Sequence, residues 1–167
     1  MSRATELANM LLAVEIPQRD AVQMQPMNVV TVIAELAAQA SATATMAGVA
    51  LTTETEENLP FVLADPLSLY RVLNNLILNA IRHTAAGGRV TISASRHGND
   101  VLVRVDDTGR GIANLQELLQ EDAALSHGRL GLWISHRLVK SMGSELLAES
   151  QVGRGTSFYF TLAAANL

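Results

Sequence analysis

Cysteine is absent from the 167 residues of this chain, which excludes disulfide bonds and thiolate metal sites. Basic residues are also few, because 12 Lys and Arg stand against 16 Asp and Glu, and the net charge of −4 predicts no broad surface for nucleic acid. We find no run of about 18 apolar residues that would span a membrane and no signal-peptide pattern. Since 49% of the residues are hydrophobic, we expect one soluble, cytoplasmic domain with an ample core.

A predicted helix with two asparagines one turn apart is the most informative segment that is present. Asp65 and Pro66 indicate its start, because aspartate caps free N–H groups and proline needs no N–H at the first helical position. Apolar residues then recur at helical spacing and predict a buried face: Leu69, Val72, Leu73, Leu76 and Ala80. Beside that face Asn75, Asn79 and Arg82 form a second row. Such a row suits a hydrated magnesium ion and a polyphosphate, although a polar edge that faces solvent is an equally simple interpretation.

A strand that ends in an aspartate and a glycine turn is the second candidate segment. Valines at 101, 103 and 105 alternate as in a half-buried strand and lead into Asp107-Thr-Gly-Arg-Gly. The Asp107 carboxylate can accept a hydrogen bond from an exocyclic amine, and Gly109 and Gly111 let the backbone pass close to a flat ring or a phosphate. The alternative is an ordinary Asp/Gly turn.

A glycine-containing loop opens the third candidate segment, a helix predicted over residues 129–142. Helix N-termini present free N–H groups and the positive end of the helix dipole, which favours phosphate. A plain amphipathic helix is the alternative. Its predicted apolar positions are Leu132, Ile134, Leu138, Val139 and Met142.

Together and in this order, the three segments resemble the N, G1 and G2 boxes of the catalytic, ATP-binding domain of sensor histidine kinases. That domain belongs to the superfamily (GHKL, Bergerat fold) that includes gyrase, Hsp90 and MutL. Residues 75–84 match the N box, 105–112 match G1, 130–132 match the end of G2, and 153–162 match the closing G-x-G-[ST]-x-F-x-F-x-L strand. The resemblance implies a kinase domain, favouring a hybrid-type sensor, that donates the γ-phosphoryl group of Mg-ATP to a histidine on a dimerisation domain.

The resemblance also implies roles for individual residues. Asn79 would bind magnesium through its amide oxygen and Asn75 would lie near the phosphates, both as catalytic residues. Hydrolytic ATPases carry a glutamate at the position of Asn75, and since an amide cannot act as a base, transfer is favoured over hydrolysis. Asp107 would accept from the adenine amino group, with the Thr156 hydroxyl holding Asp107 directly or through water. The other expected nucleotide-binding residues are Arg82, His83 (with a surface histidine as the alternative), Gly109, Gly111, Arg129, Leu130, Gly131 and Leu132.

Two features depart from the family pattern. His127 and Arg129 replace the first two glycines of Gly-x-Gly-Leu-Gly-Leu, so that Gly131 alone stands in register. Arg129 would either add a cation for the triphosphate or fill the space that the triphosphate needs. The lid at 113–126 is short and acidic and contains no phenylalanine, whereas the family has an aromatic box there.

The order of the predicted elements indicates a two-layer α/β sandwich, a mixed sheet covered by helices on one face. Residues 1–22, with a helical pattern over 3–14, are expected to be the remnant of a dimerisation-hairpin helix and a linker, and 23–167 the catalytic domain. Helices are expected at 29–47, 65–84 and 129–142, and strands at 24–29, 49–55, 61–64, 88–96, 100–107, 145–150 and 155–162.

The acceptor of the phosphoryl group is not evident in the chain. None of His83, His97, His127 and His136 lies in an upstream helix of the expected kind. The expected partners are therefore the histidine-bearing dimerisation domain of the same kinase and a response regulator or receiver domain, without nucleic acid or direct membrane contact, even if the chain is the cytoplasmic part of a membrane-bound sensor. Two alternatives stay open: a degenerate, non-catalytic nucleotide-binding or docking module, which the altered G2 box and lid favour, and an anti-sigma-type serine kinase.

Overall fold

A five-stranded mixed sheet with helices on one face makes up the computed structural model, which describes residues 22–115 and 130–166. The predicted two-layer α/β sandwich is thereby confirmed. In chain order the elements are β1 (Gln25–Met27), α1 (Val29–Met46), β2 (Ala50–Thr55), β3 (Val62–Ala64), α2 (Pro66–Arg82), β4 (Arg89–His97), β5 (Asp100–Asp107), α3 (Leu130–Ser141), β6 (Leu147–Gln151) and β7 (Gly155–Ala163).

The main sheet has the order β2-β4-β5-β7-β6. Only the β2–β4 pair is parallel among its described pairs, and the others are antiparallel. The hairpin predicted between β4 and β5 is confirmed, because His97 pairs with Asp100 across the Gly98-Asn99 turn. Asp107 pairs with Thr156 at the end of β5, and this register brings two of the predicted site residues together.

The strands predicted on either side of the acidic turn at 55–60 are present but do not pair with each other. β2 pairs along its whole length with β4, whereas β3 pairs with β1 in a separate two-stranded sheet. β3 has only three residues and runs through Asp65 straight into α2, so the small sheet fixes the point at which that helix begins.

The core lies between the helices and one face of the main sheet. The alternating valines predicted for β5 are buried there, since Val101, Val103 and Val105 are at most 1% exposed. The apolar faces predicted for α2 and for the helix at 129–142 are also buried, which confirms both periodic patterns. Gly143 ends α3 as expected of a C-terminal glycine: its φ is +84° and the next N–H, that of Ser144, donates to the Val139 carbonyl at 3.2 Å.

By length and composition alone α1 could cross a membrane, which corrects the expectation that no such stretch exists. Its 18 residues have a mean hydropathy of 1.3, because alanine and valine outweigh the polar residues between them. A core helix of a soluble protein passes the same test. The buried side of α1 belongs to the core of this domain through Val29, Val32, Ile33, Leu36, Ala40 and Ala44.

Three regions named from the sequence lie outside the described residues. They are the helical pattern at 3–14, most of the lid at 113–126, and the first part of the G2 box with His127 and Arg129. The boundary between residues 22 and 23 and the role of Arg129 therefore stay predictions.

The start of α2 depends on one carboxylate. Asp65 Oδ2 accepts from the Ser68 N–H at 2.9 Å, and Oδ1 accepts from the Gln23 N–H at 3.1 Å. Pro66 follows at the first helical position, where no N–H is needed. The cap thus fixes both the helix that carries the asparagines and the chain segment that enters the domain.

Replacing Asp65 with alanine should lower the free energy of unfolding by about 1 kcal/mol, because the first turn of α2 would lose its cap. The melting temperature should fall by roughly 2–4 °C. Urea and thermal unfolding followed by circular dichroism measure both quantities. Asp65→Asn is the matched control because asparagine also caps helices, and equal losses in the two variants would contradict the assignment.

Candidate functional site

α2 brings its polar row to three different surroundings. Asn79 is 7% exposed and lines a pocket of about 340 Å³. Asn75, one turn earlier, is half-buried beside α3, where its Nδ2 lies 3.4 Å from the Ser135 Oγ. Arg82 is exposed at the end of the helix and does not line this pocket. The asparagines thus face the pocket and the α2–α3 contact, while the predicted nucleotide contact of Arg82 stays a prediction.

A carboxylate at the end of β5 is the polar centre of the pocket. Asp107 Oδ1 accepts from the backbone N–H of Gly109 at 2.8 Å and of Thr156 at 3.2 Å. Within the described ranges nothing donates to Oδ2, although Asp107 lines the pocket. Burial raises the pKa of the Asp107 carboxyl above its ordinary 3.8, the two backbone bonds oppose the rise, and the Asp106 charge adds to it. Oδ1 is thus held by two backbone groups, whereas Oδ2 has no donor among the described residues.

Thr156 holds Asp107 directly through its backbone N–H, while a contact of its hydroxyl with Asp107 through water stays a prediction. The cause is the sheet register, which makes Thr156 the cross-strand partner of Asp107. Its Oγ1 lies 2.8 Å from Ser150 Oγ, which also accepts from the Ile112 N–H at 2.6 Å. These bonds tie the glycine turn after β5 to the β6–β7 hairpin.

The two predicted glycines of this turn lie against backbone. A Cβ on Gly109 would come within 2.2 Å of the His83 carbonyl oxygen, at the end of α2. A Cβ on Gly111 would come within 2.2 Å of the Gln151 carbonyl oxygen, and its φ of +74° disfavours other residues. Both positions therefore need glycine so that the turn can pack between α2 and the hairpin.

The rim of the pocket combines a histidine, an arginine and an exposed valine. His83 caps the C-terminus of α2, and its Nδ1 lies 3.4 Å from Nη2 of Arg110. Val152 is 67% exposed at the hairpin turn, where the Gly153 N–H donates to the Arg110 carbonyl at 2.7 Å. An exposed valine on a pocket wall offers apolar surface to a flat ligand.

The start of α3 carries three further residues predicted to bind the nucleotide, and their contacts with it stay predictions. Leu130 and Leu132 are 7% and 3% exposed and belong to the core, so a ligand could meet only their backbone. Gly131 is exposed, and a Cβ there would lie 4.0 Å from the Asn75 side-chain carbon, in ordinary contact. Gly131 thus lies beside Asn75, and none of the three residues lines the pocket.

The pocket joins part of the predicted set with residues that sequence reasoning missed. The predicted members are Asn79, His83, Asp107, Gly111 and Thr156, and the added ones are Arg110, Ile112, Ala113, Val152 and Phe158. Phe158 could have been found, because it is the first aromatic residue of the closing strand motif. Val152 carries no signal in the sequence, since it reaches the pocket only through the hairpin contact.

The donor set near Asn79 suits magnesium better than a metal held by protein alone. Nowhere in residues 22–115 and 130–166 do three His, Cys, Asp or Glu side chains form a metal-binding group. The Asn79 amide lines the pocket and has no hydrogen-bond partner in those ranges. Magnesium keeps several waters and takes one or two protein oxygens together with substrate phosphates. The site therefore fits a metal that arrives with a polyphosphate.

The chain is similar in sequence to a known ATPase family and to sensor proteins. The family model described as "Histidine kinase-, DNA gyrase B-, and HSP90-like ATPase" matches residues 64–166. The chain is 34% identical over 120 residues to the alginate biosynthesis sensor protein KinB of Pseudomonas aeruginosa, covering 68% of this chain and 20% of KinB. It is 36% identical over 119 residues to the sensor protein DivL of Caulobacter vibrioides, covering 69% and 16%. The match thus spans a fifth or less of these relatives.

Solved structures agree in fold. Full-length ShkA in complex with AMPPNP has a TM-score of 0.84 at 27% identity, covering 96% of this chain and 36% of ShkA. The nucleotide-free catalytic domain of the histidine kinase ThkA has a TM-score of 0.76 at 22% identity, covering 85% and 97%. The second likeness supports the fold alone.

Replacing Asp107 with asparagine should stabilise the ligand-free chain at neutral pH. Because the folded-state pKa of this carboxyl is raised, its contribution to stability is complete below about 3.8 and is lost as the pH rises through the folded value. Asparagine cannot ionise, and its oxygen can still accept from Gly109 and Thr156. The advantage of the variant should therefore grow as the pH rises above about 4.

Urea unfolding from about pH 4 to about pH 8 measures this difference. Asp100→Asn is the matched control, because Asp100 lies at the opposite end of β5 and does not line the pocket. An Asp107→Asn variant that is less stable than wild type across the whole range would contradict the assigned cost of burial.

Proposed function

The chain belongs to the histidine kinase-, DNA gyrase B- and HSP90-like ATPase family as the catalytic, ATP-binding domain of a sensor histidine kinase, and on this premise we propose how it binds and uses Mg-ATP. Adenine occupies the pocket between α2, the glycine turn and the β6–β7 hairpin. The observation that carries this proposal is the difference between the two oxygens of Asp107: Oδ1 accepts from two backbone N–H groups, whereas Oδ2 has no described donor. Oδ2 accepts from the adenine amine, and a guanine carbonyl there would meet an acceptor instead of a donor.

Asn79 and Asn75 serve the phosphate end. The amide oxygen of Asn79 would hold magnesium, and the metal would supply positive charge that neutralises the phosphates. Asn75 lies one turn further from the pocket, in contact with α3. Because an amide cannot remove a proton from water, the domain holds ATP without hydrolysing it quickly.

The phosphoryl acceptor is a histidine of a separate dimerisation domain. An unprotonated imidazole nitrogen forms a bond to the γ-phosphorus while the bond to the β,γ-bridging oxygen breaks and ADP leaves. This chain's residues position and bind the nucleotide, which accounts for most of the catalysis in phosphoryl transfer. His97 in β4 and His136 in α3 lie in elements of the domain fold and not on a dimerisation helix. We place the reaction in the cytoplasm and assign a response regulator or receiver domain as the final recipient.

Calorimetric titration with ATP, ADP and GTP, with and without magnesium, tests the binding. Fluorescence of Trp133, the single tryptophan, gives a second signal because it lies in the first turn of α3. We expect ATP and ADP to bind and GTP to bind far more weakly. With ATP labelled at the γ-phosphate, label should pass to an added histidine-bearing domain and not to this chain. Stable label on the chain itself would contradict a separate phosphoryl acceptor, and rapid release of phosphate would contradict slow hydrolysis.

Asp107→Asn should weaken ATP and adenosine binding by about 1.5–3 kcal/mol, because one charge-assisted hydrogen bond is lost. The hydrogen bond from the adenine amine should be lost entirely. The oxygen of the asparagine stays with Gly109 and Thr156, so that its NH₂ group faces the adenine amine, and both groups are donors. Calorimetry on the variant measures it, with Asp100→Asn, at the other end of β5, as the carboxylate control that should leave the affinity unchanged. Equal affinities of Asp107→Asn and wild type would remove Asp107 from the adenine site.

Asn79→Ala should remove most of the gain in ATP affinity that magnesium gives, while adenosine affinity stays unchanged. The reason is that the metal would lose its protein oxygen but the adenine end of the pocket would be intact. Titrations in magnesium and in EDTA measure the gain. Asn74→Ala removes a half-buried amide from the same helix outside the pocket and is the control. A variant that keeps the full magnesium effect would exclude Asn79 as the ligand.

A further inference from the structure

We infer that Ser135 is a positioning residue that fixes which atom of the Asn75 amide is available to the phosphate end of the site. This inference rests on the proposed function and adds to it a residue of α3. Ser135 is 0% exposed, which is less than any other buried polar side chain of the described residues. A buried hydroxyl needs partners, and the partners of this one lie at the start of its own helix and on α2.

The hydroxyl of Ser135 has one proton to donate, and the structure shows where it goes. Ser135 Oγ lies 2.8 Å from the carbonyl oxygen of Gly131, which can only accept. Ser135 therefore meets Asn75 as an acceptor, at 3.4 Å. The orientation of an asparagine amide is ordinarily decided by its hydrogen-bond network. Here the network requires that the NH₂ group of Asn75 face Ser135.

This assignment leaves the carbonyl oxygen of Asn75 as the atom that is not held by α3. A carbonyl oxygen accepts hydrogen bonds, whereas an NH₂ group donates them. The waters that magnesium retains are donors. An Asn75 held in this orientation can accept from a metal-bound water next to the Asn79 ligand, and a flipped Asn75 would present hydrogens to it. Ser135 thereby favours the metal-bound nucleotide over the bare one.

The contact also couples the site to the segment that opens α3. Gly131 accepts from Ser135, and a Cβ at Gly131 would touch Asn75, so one small cluster holds the first turn of α3 against α2. Trp133 lies on the same turn, with Arg137 over its ring at 5.1 Å. A change in the Asn75 contact should therefore also reach the fluorescence of that tryptophan.

The experiment compares Ser135→Ala with Ser141→Ala as the matched control. Ser141 also donates to a carbonyl of α3, that of Leu138 at 2.7 Å, but has no contact with Asn75. For each variant, affinity is measured for ATP in magnesium, ATP in EDTA, and adenosine. Ser135→Ala should reduce the magnesium gain about three- to tenfold, the value of one hydrogen bond. It should leave adenosine affinity unchanged, and Ser141→Ala should change neither.

A double-mutant cycle separates positioning from packing. If Ser135 acts through Asn75, Ser135→Ala in an Asn75→Ala background should cause no further loss of the magnesium gain. The same loss in both backgrounds, or a parallel loss of adenosine affinity, would overturn the inference. Ser135→Cys leaves no cavity, because sulfur is slightly larger than oxygen, and sulfur is only a weak acceptor. This variant should show the same selective loss and serves as the test if the alanine variant unfolds.

A measurement on the ligand-free chain is independent of the proposed function. The side-chain ¹⁵N–¹H₂ signals of Asn75, identified by their disappearance in Asn75→Ala, should shift in Ser135→Ala and not in Ser141→Ala. Unshifted signals would overturn the orientation of the amide whatever the chain binds. A wild-type chain that binds no ATP would overturn the proposed function. If the chain binds ATP but magnesium raises the affinity equally in wild type and Ser135→Ala, this inference alone is overturned.

Discussion

The two hydrogen bonds from backbone N–H groups to Asp107 Oδ1 hold the candidate site together. One comes from Gly109 in the turn that follows β5, and the other from Thr156 on the neighbouring β7. Gly109 in turn lies against the carbonyl of His83 at the end of α2. A single carboxylate oxygen thus sets the position of the turn, strand β7 and the asparagine helix relative to one another. The pocket exists because these three pieces meet around that oxygen.

The same arrangement has an electrostatic cost that explains its usefulness. Burial raises the pKa of Asp107, and two backbone N–H bonds offset only part of the cost of keeping the charge. In the pocket Oδ2, to which no described residue donates, is therefore a stronger acceptor than the same oxygen in water, because fewer solvent molecules compete for it. The amine of a ligand would donate the hydrogen bond that Oδ2 does not receive from the described residues. Stability and recognition are opposed at this position, as they often are where a polar group is placed for binding.

Local sequence patterns predicted the helices and strands well. Contacts between segments far apart in the chain could not be predicted from them. Periodicity and capping residues located α2 and β5, since both signals depend on neighbours along the chain. Thr156 was recognised, but the direct contact of its backbone N–H with Asp107 was not, because that contact depends on the strand register that pairs the two residues. Val152 and Ser135 escaped notice for the same reason, as each reaches the site through packing between elements far apart in sequence. The roles of Arg82 and Arg129 were suggested by motif position and stay predictions.

The described lining of the pocket contains few positive charges, and this affects the barrier to the proposed phosphoryl transfer. Arg110 is the one lysine or arginine among the described lining residues, and it sits on the rim beside His83. Asn75 and Asn79, which we assign to the phosphate end, are neutral amides. An enzyme that held the ground-state triphosphate with many fixed cations would bind it tightly without lowering the barrier to transfer. Neutral amides leave the neutralisation to the metal, to groups that arrive with the acceptor, and to Arg82 and Arg129, whose phosphate contacts stay predictions. Under the proposed function, the domain is thus suited to hold ATP in readiness and to release its terminal phosphoryl group only when a histidine is presented.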